Sequence, residues 1–166
     1  MLQERQDVEF EISDEKNYIE ISMLDRENSG SYSESDWRCN ENLVEFSYRE
    51  EEGNDWGVGI NEFISTTDIK RMADCIRNVI YHRERKDHYK CTDDVFRIAI
   101  EFYEDSNTYS FSAALIDTLV RDHHIQVTKN DLTEAALEEY ITPFFQWEKQ
   151  YPIIMRSDEA NRCSGE

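Results

Sequence analysis

The sequence predicts an α+β fold: a single two-layer domain with a mainly antiparallel sheet of about six or seven strands and two helices packed on one face. Three observations carry this expectation. Several segments alternate apolar and polar side chains with the period of a half-buried strand. Two others place apolar residues at three- and four-residue spacing, as an amphipathic helix does. These run in the order strands, helix, strands, helix, which suits an antiparallel sheet with one wet face and one covered face. At 166 residues, 39% of them hydrophobic and 12% aromatic, the chain has the size of one domain and the apolar content for a core. That domain is expected over residues 1–152, with 153–166 a flexible tail.

The strands come first. "VEFEI" (8–12) alternates and reads as an edge strand, and "YIEISMLDR" (18–26) puts Ile19, Ile21 and Met23 on one face. "ENSGSYSESD" (27–36) is a polar loop. "NLVEFSYRE" (42–50) sets Val44, Phe46 and Tyr48 opposite Glu45 and Ser47. After the turn "EEGND", "WGVGINEF" (56–63) gives Trp56, Val58 and Ile60 on one side, with Gly57 and Gly59 weakening the strand or marking a bulge. In "STTDIKRMADCIRNVIYHRE", Ile69, Met72, Ala73, Ile76, Val79 and Ile80 form one helical stripe. Thr66 or Thr67 is its expected cap, with Asp68 near the positive end of the helix dipole and Arg83 and Arg85 near the other.

Strands return in "DDVFRIAIEFYED" (93–105), where Phe96, Ile98, Ile100 and Phe102 share a face, and in "SNTYSFSAALID" (106–117); "HIQV" (124–127) adds a short one. The last helix is expected to open at Thr128, with Asp131 completing a capping box. Leu132, Ala135, Ala136, Tyr140, Ile141, Phe144 and Phe145 form its apolar face, and Pro143 is expected to kink or divide it. Trp147 and Tyr151 close the core beyond that face. No internal repeat is evident.

The formal charge is -19, from 37 acidic and 18 basic residues. Residues 1–69 hold 19 acidic and 5 basic side chains, residues 70–90 hold 3 and 7, and the remainder 15 and 6. Duplexes and anionic membranes prefer the opposite sign, so no direct nucleic acid and no membrane partner is expected, and a basic protein partner is favoured by steering. The opening "MLQERQDVEF" lacks an apolar signal region, and no apolar run reaches membrane-spanning length, so a cytoplasmic chain is expected.

Motifs for catalysis are sparse. Cys39, Cys75, Cys91 and Cys163 show no Cys-x-x-Cys, and Cys75 falls on an apolar helical face, so reduced thiols are expected rather than a disulfide framework or a zinc site. His82, His88, His123 and His124 have no zinc-ligand spacing, and neither a G-x-S-x-G nor a P-loop is present. Asp36, Glu41, Asp55 and Glu62 are candidates to pair across one hairpin and bind a divalent cation or share a proton. In a chain with 37 acids such proximity also arises by chance, so no catalytic residue, metal or cofactor is assigned. Trp37 and Trp56, each following an aspartate, divide between a core role and the aromatic anchor of an interface.

The string "DW" before "NENLVEFSYRE", the hairpin into "WGVGINEF", and "TTDIKRMADCI" resemble the small WapI-family immunity proteins of bacteria. The resemblance continues through "VFRIAIEFYED", "YSFSAALID", "IQVTKNDL" and "WEKQYP", and covers residues 8–152. It implies an α+β protein that binds and neutralises the C-terminal domain of a polymorphic toxin, without catalysis, as a monomer or homodimer. The partner is then a cognate toxin domain with a basic surface. The candidate partner-binding surface is Glu27, Glu34, Asp36, Trp37, Glu41, Glu45, Glu50, Glu51, Glu52 and Asp55. A carboxylate-dependent or metal-assisted enzyme, and a small acidic dimeric structural or regulatory module, stay open as alternatives.

Overall fold

Four strands and a helix, then four strands and a helix, make up the described residues. The computed structural model describes residues 9–26, 41–50, 60–91, 95–117 and 123–151, with the backbone alone at 23–26, 41–46, 49–50, 60–63, 117 and 123. In order these are β1 (Glu9–Ser13), β2 (Asn17–Arg26), β3 (Glu41–Glu50), β4 (Ile60–Ser65), α1 (Thr66–Ile80), β5 (Lys86–Lys90), β6 (Phe96–Tyr103), β7 (Thr108–Asp117), β8 (His123–Leu132) and α2 (Glu134–Gln150). The first four strands form one antiparallel sheet in chain order and the last four form another.

The α+β class is as expected; the strand count and layering are corrected. Eight strands in two sheets stand among the described residues, where six or seven in one sheet were expected. The missed strand is β5, "KDHYK", whose side chains alternate between exposed and half-buried, with no fully buried position. It has the period of a strand without the apolar residues that advertise one. The two helices lie side by side against the second sheet: α1 packs on β5 and β6, α2 on β7 and β8, and the two touch each other, while β4 and β1 of the first sheet also meet them.

Phe10 shows how the halves share one core. It sits on the edge strand β1 and is fully buried, because its ring reaches Phe96 of β6, Phe111 of β7 and Phe144 of α2 at centroid distances of 6.1, 6.1 and 5.0 Å. Ile12, Ile19 and Ile21 from the first sheet join Ile98, Ile100, Leu115, Ile125 and Val127 from the second in the same cluster. Trp147 is fully buried, 5.2 Å from Phe144, so the core role expected for it holds. At the surface the sheets meet where Asn17 Nδ2 donates to the Gln126 carbonyl at 3.3 Å.

Helix ends differ from expectation by a few residues, each for a local reason. Ser65, not Thr66 or Thr67, caps α1: its Oγ accepts from the Asp68 N–H at 3.0 Å while Asp68 Oδ2 accepts from the Ser65 N–H at 3.3 Å. This reciprocal box satisfies two otherwise orphaned donors. The Asp68 carboxylate, nearly buried, also accepts from Tyr89 Oη at 2.6 Å, which fastens β5 to the start of α1. At the other end His82 occupies the left-handed region (φ 58°), and the His82 and Arg83 N–H groups return to the carbonyls of Val79 and Asn78. That is the hydrogen-bond pattern of a Schellman stop.

α2 begins at Glu134, capped by Thr133, because β8 runs on to Leu132. Its pairing with β7 shifts between Phe111↔Lys129 and Tyr109↔Leu132, a bulge that places Asp131 at φ 54° and breaks the alternation. The helix continues through Pro143 without division. Arg77 of α1 forms a two-pronged ion pair with Glu148 of α2, bonds Asp74 at 3.0 Å, and lies 4.9 Å over the Phe145 ring. Among the described residues no helix is long and apolar enough to cross a membrane.

Candidate functional site

The outer faces of the two sheets differ in charge. On the first, Phe10, Ile12, Ile19 and Ile21 point into the core, so Glu9, Glu11, Tyr18, Glu20 and Ser22 point out. The register sets Glu11 directly opposite Glu20 and Glu9 opposite Ser22. Tyr18 Oη donates to Glu20, and Ser22 Oγ donates to Glu20 at 3.4 Å and Glu9 at 3.5 Å. Burial first, then the Glu20 hydrogen bond and the charges of Glu20, Glu11 and Glu9, hold the Tyr18 phenol well above its ordinary value. This face is anionic.

On the second sheet the inward set is Phe96, Ile98, Ile100, Tyr109, Phe111, Ala113, Leu115, Ile125 and Val127. β5 turns Asp87 and Tyr89 toward α1, where Asp87 accepts from Asn78 Nδ2 at 3.1 Å, and leaves Lys86, His88 and Lys90 exposed. The register then fixes the outward rows. One runs Lys90, Arg97, Ala114, Gln126; the next His88, Ala99, Ser112, Thr128; the third Lys86, Glu101, Ser110; and Tyr103 faces Thr108 at the end. Small side chains occupy the middle, cations the β5–β6 side, and amide and hydroxyl groups the β8 side. The carboxylate on these rows, Glu101, accepts from Tyr103 Oη at 3.0 Å.

The α1–β5 turn extends the cationic side. Arg83 and Arg85 are exposed there, with Arg83 5.8 Å over the ring of Tyr81, and the His82 ring rests 4.7 Å from Phe102. Tyr81 is 61% exposed and Tyr103 38%, the two large hydrophobic residues most open to solvent among those described. Cations interleaved with open aromatic rings on a four-stranded face favour a ligand with both negative charge and flat apolar surfaces.

The surface expected from the sequence falls largely outside the described residues. Glu27, Glu34, Asp36, Trp37, Glu51, Glu52 and Asp55 fall outside the described residues, as does Trp56. Glu41, Glu45 and Glu50 lie on β3, in register with Ser65, Ser22 and Asn17 respectively, so the row Glu9, Ser22, Glu45 crosses the first sheet. Of the hairpin carboxylates weighed for catalysis, Glu62 pairs with Val44 on the neighbouring strand. Among the described residues no three His, Cys, Asp or Glu side chains are placed to share a metal ion.

Cys75 and Cys91 are buried, with Cys91 Sγ 4.0 Å from Met72 Sδ. Burial, with the nearby Asp87 carboxylate, pushes the Cys75 thiol up to about 12, and Tyr89 is held protonated by burial and its bond to Asp68. The ordinary values are 9.0 for the thiol and 10.0 for the phenols, so the unfolded chain releases these protons first as pH rises. Stability is therefore fully present below about pH 9 and lost as pH climbs through the raised folded values. Urea unfolding followed by circular dichroism from about pH 8 to about pH 11 checks this. The midpoint is expected to hold and then fall; a constant midpoint would contradict it.

No family model and no curated protein matches the chain. Similar solved structures include WHY1 from Arabidopsis thaliana, at TM-score 0.46 and 15% identity over 98% of this chain and 94% of that one. WHY3 from Arabidopsis thaliana matches at TM-score 0.44 and 17% identity over 98% of both chains. The plant transcriptional regulator PBF-2 matches at 0.46 and 15%, over 90% of this chain and 92% of that one. None of the three is described as an immunity protein. The expectation of toxin neutralisation, with its toxin partner, is corrected on this finding. So is the exclusion of direct nucleic-acid contact. That exclusion averaged charge over the whole chain, whereas the register gathers Lys86, Lys90 and Arg97 on one outer face.

Proposed function

We propose that this protein is a non-catalytic binding module that holds a single-stranded nucleic acid across the open face of the second sheet. The observation that carries the reading is the composition of that face in a chain of charge -19: Lys86, Lys90 and Arg97 beside Glu101, with Ala99, Ser110 and Ser112 between them. Phosphates fit the cationic β5–β6 side. Bases fit the small-residue rows and the ring of Tyr103, and the hydroxyl and amide groups of Thr128 and Gln126 offer hydrogen bonds at the far strand. Lysines on an edge strand also discourage sheet-to-sheet pairing, a role compatible with binding.

Shape favours a single strand over a duplex. A duplex groove admits a helix or a two-stranded ribbon, not a flat four-stranded face, whereas unstacked bases lie readily on such a surface. The overall negative charge repels a polyanion at a distance. At physiological ionic strength the screening length is about 8 Å, so the charges under the strand outweigh those on the far sheet.

The test is fluorescence anisotropy of a labelled single-stranded oligonucleotide at several salt concentrations, beside a duplex of the same sequence. Neutralising three phosphates at Lys86, Lys90 and Arg97 gives an expected slope of log affinity on log salt of about −2 for a single strand. Absence of binding at low salt, or equal affinity for the duplex, would overturn the reading.

A further inference from the structure

Two cavities flank the far end of the second sheet and share Arg85 and Glu104. The first, of about 440 Å³, is lined by Arg85, Tyr103, Asp105, Ser106, Asn130 and Asp131 as well as Glu104. The second, of about 620 Å³, adds His82, Arg83, Glu84, Phe102 and Asn107. Both volumes lie within the roughly 300–1,000 Å³ usual for small-molecule sites. Tyr103 connects the first cavity to the sheet face: it lies two residues beyond Glu101 on β6, and its hydroxyl bonds that carboxylate.

We infer that the 440 Å³ cavity is a nucleobase subsite that selects bases carrying an exocyclic amino group, an inference that rests on the single-strand reading above. The lining decides the chemistry. Glu104, Asp105 and Asp131 make the cavity wrong for a phosphate, and among the described residues no three such groups are placed to share a metal ion. Carboxylates do accept hydrogen bonds from base amino groups, as from cytosine N4. Tyr103 supplies a ring for the base to stack on, and the Asn130 amide offers both a donor and an acceptor. Thymine and uracil put a carbonyl oxygen where cytosine has its amino group, and the carboxylates repel it. Arg85, at the junction, and Arg83, in the second cavity, carry the cations for the adjoining phosphate.

The backbone supports the placement. Asp131, at φ 54° in the bulge, lines the first cavity, and Asn107, at φ 55° in the turn, lines the second. Asn tolerates this region as Asp does, so Asp131→Asn removes the charge and keeps the wall.

Equal-length oligodeoxycytidylate and oligothymidylate, titrated into the full chain with anisotropy as readout, test the inference. Roughly tenfold tighter binding of the cytidylate is expected. Asp131→Asn should lower that ratio, and combining it with Glu104→Gln and Asp105→Asn should bring it close to one, while Tyr103→Ala weakens both by roughly tenfold. Equal affinity of the unaltered protein for the two strands overturns the subsite and leaves the sheet-face reading standing. A cytidylate preference that survives removal of all three charges places selection outside this cavity and also overturns the inference. Binding of neither strand overturns both.

Discussion

Phe10→Ala lowers the free energy of unfolding by about 3–5 kcal/mol, the usual cost of emptying a buried aromatic site. Phe10 stands on an edge strand of only five residues, where a lost side chain is ordinarily tolerated. Here it is fully buried and meets rings from β6, β7 and α2, so one residue of the first strand joins the second sheet and the second helix. The cavity cannot collapse readily, because its walls come from three elements with their own pairings. Domains of this size are stable by only about 5–15 kcal/mol, so the variant spends much of its margin. Denaturant unfolding measures the loss, with Glu11→Ala on the exposed side of the same strand as the control, expected within about 0.5 kcal/mol of the parent. A loss below about 1 kcal/mol for Phe10→Ala would show that the halves are held together elsewhere.

Reversing Lys86 and Lys90 together to Glu weakens binding of a single strand on the order of a hundredfold at low salt, and flattens its salt dependence. Both side chains are exposed on the outer side of β5, and neither packs in the core, so folding is expected to survive. Stability stays within roughly 1 kcal/mol, as for most surface changes. The matched control reverses two acids on the opposite sheet, Glu9 and Glu20, to Lys. This substitution leaves the contact face untouched and relieves long-range repulsion, so affinity rises modestly if it changes. A gain from the Glu9 and Glu20 pair as large as the loss from the Lys86 and Lys90 pair would mean that net charge, not the β5–β8 face, governs binding.

The elements with strong apolar alternation were legible from the residues themselves. Ile19 and Ile21, Phe96 through Ile100, and the stripe from Ile69 to Val79 stand where their periods put them, because burial on one face is what those periods encode. β5 was not legible. Its inward residues are Asp87 and Tyr89, which satisfy themselves with Asn78 and Asp68 rather than with apolar contact, and Arg83 and Arg85 read more simply as charges at a helix end. The division into two sheets followed from that omission, since β5 opens the second one.

The candidate face was hidden for the same reason. Residues 70–90, with 3 acidic and 7 basic side chains, were the one stretch of reversed charge, and that signal was present in the sequence. Its significance depends on register: only the pairing of Lys90 with Arg97 and of Lys86 with Glu101 shows which cations share a surface with Ala99 and Ser112. Whole-chain charge pointed the opposite way. The bulge at Asn130 and Asp131, which shapes the cavity beside Tyr103, likewise broke the alternation that would have revealed β8 at full length.

The most direct test of the sheet-face account is amide chemical-shift mapping of the isotope-labelled protein during titration with a short single-stranded oligonucleotide. Shifts are expected along Lys86–Lys90, Arg97–Tyr103 and Ser110–Ala114, with the amides of Glu9–Ser13 and Tyr18–Ser22 unmoved. Shifts confined to the first sheet, or none at concentrations that saturate a weak site, would contradict it.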